Sequence, residues 1–137
     1  FRNSQLDKYL SELKTTKHLN VESIKPILQT HFYLTSTLYK ITNLEKRSFS
    51  SKYLHFHLPD LFFIYDSRVV TAMRQFKSQV PKDLKYLLEL DNIDAEYAKF
   101  FCKCIALKAQ IEDRYNTKLT NRQLDNVLIE IVNNITN

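Results

Sequence analysis

Apolar residues in this chain recur at intervals of three and four, and no segment keeps the strict alternation of a half-buried strand, so the pattern predicts an all-α protein. Leu6, Leu10 and Leu13 open the series, with Asn3 or Ser4 available as a cap. After a polar break at Lys17 to Asn20, the stretch from Glu22 continues it through Ile24, Ile27, Leu28, Phe32, Leu38 and Ile41. One long helix or two short ones fit there, with Pro26 acceptable only in a first turn. A third helix begins at Ser48 or Phe49, carries Tyr53, Leu54, Phe56 and Leu58, and stops at Pro59, because the residue before a proline disfavours the α conformation.

The stretch PDLFFIY then reads as a short apolar connector, and helical spacing restarts in DSRVVTAMRQF with Asp66 placed as N-cap. Pro81 opens a short helix with Leu84, Leu87 and Leu88 inward. Ala95 to about Arg114 gives a longer one, striped by Phe101, Cys104, Ile105, Lys108 and Ile111. The last segment places Leu124, Val127, Leu128, Ile131, Val132 and Ile135 behind a Thr120 cap. Six to eight helices without an internal repeat make a compact bundle, and 137 residues suffice for one core, so residues 1–137 read as a single domain. A start at Phe1 instead of Met leaves excision from a larger protein open.

Composition narrows the chemistry. The chain contains no glycine. Walker loops, Rossmann fingerprints and glycine-built oxyanion turns need backbone positions that glycine tolerates best, so these are excluded. Cys102 and Cys104, two apart on a helix, point in different directions and read as reduced thiols, with Cys104 the better core candidate. No long apolar run or basic leader suggests a membrane span or signal peptide, so the expected setting is cytoplasmic. The net charge is +5, and residues 1–57 hold all of the excess, with nine Lys and Arg against four Asp and Glu. Such an asymmetry fits an anionic partner, nucleic acid being the usual one, and equally a solvated lysine-rich surface.

Two residues carry the sharpest chemical expectation. A helix starting at Ser48 or Phe49 puts Lys52 in its first turn, where the macrodipole disfavours positive charge and makes a neutral, nucleophilic amine easier to reach. Spacing fits a solvated lysine as well. Asp66 caps the next helix, a structural role compatible with stabilising an oxocarbenium-like sugar cation or orienting a water. The serine-started turn that opens the Lys52 helix, with Ser48, Ser50 and Ser51 hydroxyls beside Lys46 and Arg47, is a candidate phosphate site, and Arg68 supplies a further cation. Phe62, Phe63 and Tyr65 are candidates for stacking on a base and equally for core packing. His55 and His57, two apart on a helix, do not converge on a metal, and no ligand cluster completes a set, so neither metal nor cofactor is expected. Arg122 and Asp125 read as an i,i+3 salt bridge.

The string SFSSKYLHFHLPDLFFIYDSRVV, followed by YAKFFCKCIALKAQIEDRYNTKLTNRQLDNVLI, resembles a group of poorly characterised bacterial helical proteins over roughly residues 48–130. That group is similar to the helix-hairpin-helix DNA glycosylase superfamily, which includes 8-oxoguanine glycosylases; the likeness to the enzymes themselves is confined to the stretch from Lys52 to Asp66. In lysine-bearing members a hairpin grips DNA phosphate and leads into a helix with a Schiff-base lysine, and a later aspartate caps another helix. The resemblance therefore implies a glycosylase-like fold, DNA as partner, and base excision with or without strand nicking. Lys52 matches the lysine and Asp66 the aspartate, and Phe62, Phe63 or Tyr65 would line the pocket for the flipped base. The superfamily's hairpin normally contains glycines, and Glu45 to Ser51 hold none. The reading from another class is a non-catalytic module that binds nucleic acid or protein, in a phage-defence or toxin system.

Overall fold

The computed structural model describes residues 3–16, 18–76 and 79–136, and these contain helices and no strand. Six α-helices run in chain order: α1 Ser4–Lys14, α2 Val21–Thr42, α3 Arg47–His57, α4 Ser67–Met73, α5 Ala95–Tyr115 and α6 Asn121–Thr136. Between α4 and α5 lie a single 3-10 turn, Arg74–Phe76, and a longer 3-10 helix, Lys82–Glu89. The all-α expectation holds, and the count lies within the expected six to eight.

Local chemistry accounts for most boundaries. Asn3 caps α1 through the Leu6 amide. Asn20 and Ser23 form a reciprocal capping box at α2. Thr120 and Gln123 do the same for α6. The segment after the polar break is one continuous helix, and Pro26 sits beyond its first turn. A proline there removes one amide donor, to the Glu22 carbonyl, and both residues lie on the exposed side where water can take that acceptor. The helix opened by Pro81 is a 3-10 helix, whose three-residue period puts Leu84 and Leu87 on the core side.

Left-handed backbone occurs at Asn43, Asn92 and Asn116, with φ of 59°, 62° and 49°. Asparagine is the residue that visits this region most readily after glycine. In a chain without glycine it ends α2 and α5 and forms the turn before α5. The α2–α3 hairpin is thus built on Asn43, with Leu44, Glu45 and Lys46 completing the turn.

Every helix contributes to one core, centred on Tyr97, Phe62, Phe101, Ile27, Leu54 and Leu107. Within it α1 packs on α2, α2 on α3, α4 on α6, and α5 on the 3-10 helix. Cys102 and Cys104 are free thiols, both buried. Burial pushes Cys102 up to about 11 and Cys104 well above the usual thiol range, which makes both poor nucleophiles. Ile135 lies outside the residues whose side chains are described.

Candidate functional site

The apolar connector from Leu58 to Tyr65 runs through the core without regular structure, which raises the question of where its backbone polar groups go. Side chains take them. His55 Nδ1 lies 2.9 Å from the Phe62 carbonyl, which can only accept, so that nitrogen carries the proton. Asn121 Nδ2 donates to the same carbonyl at 3.2 Å. The Tyr97 hydroxyl donates to the Phe63 carbonyl at 2.7 Å. The Tyr65 amide donates to Ser51 Oγ at 2.8 Å, and Ser48 Oγ donates to the Tyr65 carbonyl at 2.6 Å. The connector is thereby tied to α3, α5 and α6, and this fixes where Asp66 emerges.

Asp66 caps α4, accepting from the Arg68 amide at 2.8 Å and from the Arg68 guanidinium. The Lys52 amine stands 3.6 Å from its second carboxylate oxygen. The two expected reacting groups therefore face each other across the start of α4. The lysine side chain is 54% exposed and the aspartate 13%. Burial pushes the Asp66 carboxyl up, but hydrogen bonds from Arg68 and the charges of Arg68 and Lys52 outweigh it and hold the group below the usual aspartate range. Asp66 is a fixed anion at neutral pH. That suits it to stabilising a developing cation and makes it a weak proton acceptor.

A second acidic group lies close by. Asp125, on α6, has one carboxylate oxygen buried without a hydrogen-bond partner. Burial raises its carboxyl, while His55, Arg122 and Arg68 pull it down and the Asp66 charge adds to the rise. The expected Arg122–Asp125 salt bridge is absent among the described residues, and Arg122 acts on Asp125 only through its charge. In the sequence, His55 reads as one of a histidine pair weighed for metal binding and Asp125 as a salt-bridge partner, and neither spacing shows that both act in this neighbourhood. An i,i+3 spacing pointed Asp125 at Arg122, and only the packing of α6 on α4 turns it toward the site.

Several expectations need correction. The third helix starts at Arg47, one to two residues earlier than expected, so Lys52 lies in the second turn. The macrodipole acts within the first turn, and the dipole argument for a readily neutral amine is removed. Ser50 and Ser51 are fully buried, Ser51 and Ser48 are committed to the connector, and none of the three hydroxyls is presented to a phosphate. Arg47 donates from Nε to Asp94, the N-cap of α5, at 2.7 Å and lies over the Tyr65 ring, so it joins two helix starts. Lys46 and Arg68 are the predicted cations not buried in such a role: Lys46 makes no ion pair among the described residues, and Arg68 pairs with Asp66.

Phe62 and Phe63 are core residues, with 0% and 3% exposure, and cannot stack on a base. Their neighbours are interior ones, Phe101 standing edge-on to Phe63. Tyr65 differs. It is half-buried and lines an open cleft of about 370 Å³ with Phe100, Val70, Arg74, Lys99 and Lys103 among its walls. No group of histidine, cysteine and carboxylate side chains among the described residues could hold a metal ion. No helix among them is long and apolar enough to cross a membrane.

No protein-family model, no curated protein and no solved structure matches this chain.

Proposed function

We propose that the protein excises a damaged or modified base from DNA, with Lys52 as nucleophile and Asp66 as its electrostatic partner, on a helix-hairpin-helix glycosylase-like scaffold. The observation that carries this reading is the 3.6 Å approach of the Lys52 amine to the Asp66 carboxylate, each delivered by a different element. The α2–α3 hairpin turn around Asn43, followed by the lysine-bearing α3 and the aspartate-capped α4, supports the same order of parts.

The chemistry follows from the groups. The lysine amine, once it has released its proton to solvent, attacks the sugar C1′ and the base leaves with the bonding pair. The imminent positive charge on the sugar is stabilised by the Asp66 anion, which Arg68 keeps ionised. Lys46 and Arg68 remain as cations for the flanking phosphates. With Phe62 and Phe63 interior, the cleft walled by Tyr65, the residue before Asp66, offers an aromatic surface to an extruded base.

Base release from oligonucleotides carrying oxidised, alkylated or deaminated bases tests the proposal. Lys52→Ala should lower the single-turnover rate by at least about 10³-fold, and Asp66→Asn by about 10²- to 10³-fold while keeping the cap. Release unaffected by either substitution contradicts it. A second reading rests on the exposure of Lys52 and on Asp66 being already engaged by Arg68: a non-catalytic module binding nucleic acid or protein, of a phage-defence or toxin system. It predicts salt-sensitive binding that Asp66→Asn leaves intact, with no base released.

A further inference from the structure

The outward face of α3 carries two large apolar side chains that the core does not use, with a third ring, Tyr53, packed against the core only in part. Phe56 is 81% exposed and Phe49 54%, and Tyr53 is half-buried between them. At 100° per residue, Phe49 and Phe56 point the same way, opposite to the buried Ser50, Ser51, Leu54 and His55. The rings form a ladder: Phe49 stacks near Tyr53 at 6.4 Å and 24°, Tyr53 meets His57 at 4.6 Å, and His57 meets Phe56 edge-on at 5.4 Å. Lys52 rises from the same face, with Phe49 three residues before it and Phe56 four residues after.

Resting on the DNA-directed reading above, we propose that Phe49, Tyr53 and Phe56 form a stacking surface for unpaired nucleobases beside the Lys52–Asp66 pair, so that the preferred substrate is single-stranded or locally unpaired DNA. Aromatic rings bind nucleic acid through the faces of bases, and duplex DNA hides those faces in its own stack. Charge selects this occupant over the others. Arg47 turns away to Asp94 and His55 is buried, but Lys52 stands on this face, and Lys46, just before the helix, makes no ion pair among the described residues. The eleven residues of α3 hold no carboxylate, and they lie in the segment that holds the whole positive excess of the chain. Two copies meeting through this face would set Lys52 against Lys52, whereas a polyanion with exposed rings satisfies both the cations and the aromatics. Large apolar side chains exposed singly are ordinary, since more than half of any protein surface is apolar; three rings on one turn-to-turn line flanking an exposed amine are a patterned face.

The test measures anisotropy of three fluorescein-labelled probes with equal numbers of phosphates: a mixed-sequence single strand, its duplex, and a single strand of abasic sites. Phe49→Ala and Phe56→Ala are the variants, and both replace exposed side chains, so their melting temperatures should match the parent. Each substitution should weaken single-strand binding by about 5- to 100-fold, leave duplex binding and the salt dependence unchanged, and reduce the single strand to the affinity of the abasic probe. Variants that bind the single strand as the parent does overturn the stacking surface. So does a dimer, seen by sedimentation, that Phe56→Ala dissociates, or binding to anionic phospholipid vesicles in place of the single strand. Base release persisting while the variants bind normally removes this inference alone. Ring-dependent single-strand binding without base release removes the catalytic reading alone, and absence of any DNA binding removes both.

Discussion

The two faces of α3 have the same backbone and opposite employment. Inward, Ser51 and His55 hold the connector through the Tyr65 amide and the Phe62 carbonyl, and Leu54 is sealed in the core. Outward, Phe49 and Phe56 lie in water on either side of Lys52. The difference teaches that the helix is held rigidly by one side so that the other can be presented: the amine's position relative to Asp66 is set by bonds made behind it.

If that division is right, substitutions behind the helix should cost stability and substitutions in front should not. The largest stability effect is expected for Phe62→Ala, which empties a fully buried ring site and should cost about 3–5 kcal/mol in urea unfolding. Acid should act nearly as strongly through His31, which is buried against Tyr97 at 3.8 Å between ring centroids and uses Nε2 toward the Arg47 carbonyl. Burial lowers it from 6.5 to about 4, so the unfolded chain binds its proton first as pH falls. Its contribution is complete above about pH 6.5 and is lost progressively down to about pH 4, on the order of 3 kcal/mol in all. Denaturant titrations at stepped pH read that slope, and His31→Phe should flatten it.

Ser51→Ala comes next. It leaves the Tyr65 amide without its acceptor, at a cost of about 1–3 kcal/mol, and by loosening the connector should also lower base release, a paired loss that Phe62→Ala would obscure by unfolding. Smallest is the front of the helix: Phe56→Ala and Lys52→Ala should each change stability by less than about 0.5 kcal/mol, since exposed side chains and single surface ion pairs contribute little. A large loss at either position would break the division between the two faces.

Much of this arrangement was legible before any coordinates. Period gave α1, α5 and α6 and left α2 open between one helix and two, Pro59 gave the end of α3, and Asp66 announced itself as a cap. The connector's interior course was not legible, because an apolar run between helices reads alike as core, groove lining or loop, and only its neighbours show that Phe62 and Phe63 face inward. The serines misled for a related reason. Three hydroxyls at a helix start suit a phosphate, but Ser50 and Ser51 share the buried side of α3 with Leu54 and His55. Asp125 was hidden because the charges of His55, Asp66 and Arg68 that act on it come from residues far away in sequence.

The pairing of Lys52 with Asp66 is tested most directly by borohydride trapping on single-stranded DNA carrying damaged bases or an abasic site. A covalent imine requires an amine at C1′, and reduction fixes it. The account predicts a trapped protein–DNA adduct that maps to Lys52, disappears in Lys52→Ala, and forms more slowly in Asp66→Asn. No adduct on any substrate, or one that persists undiminished in Lys52→Ala, would contradict it.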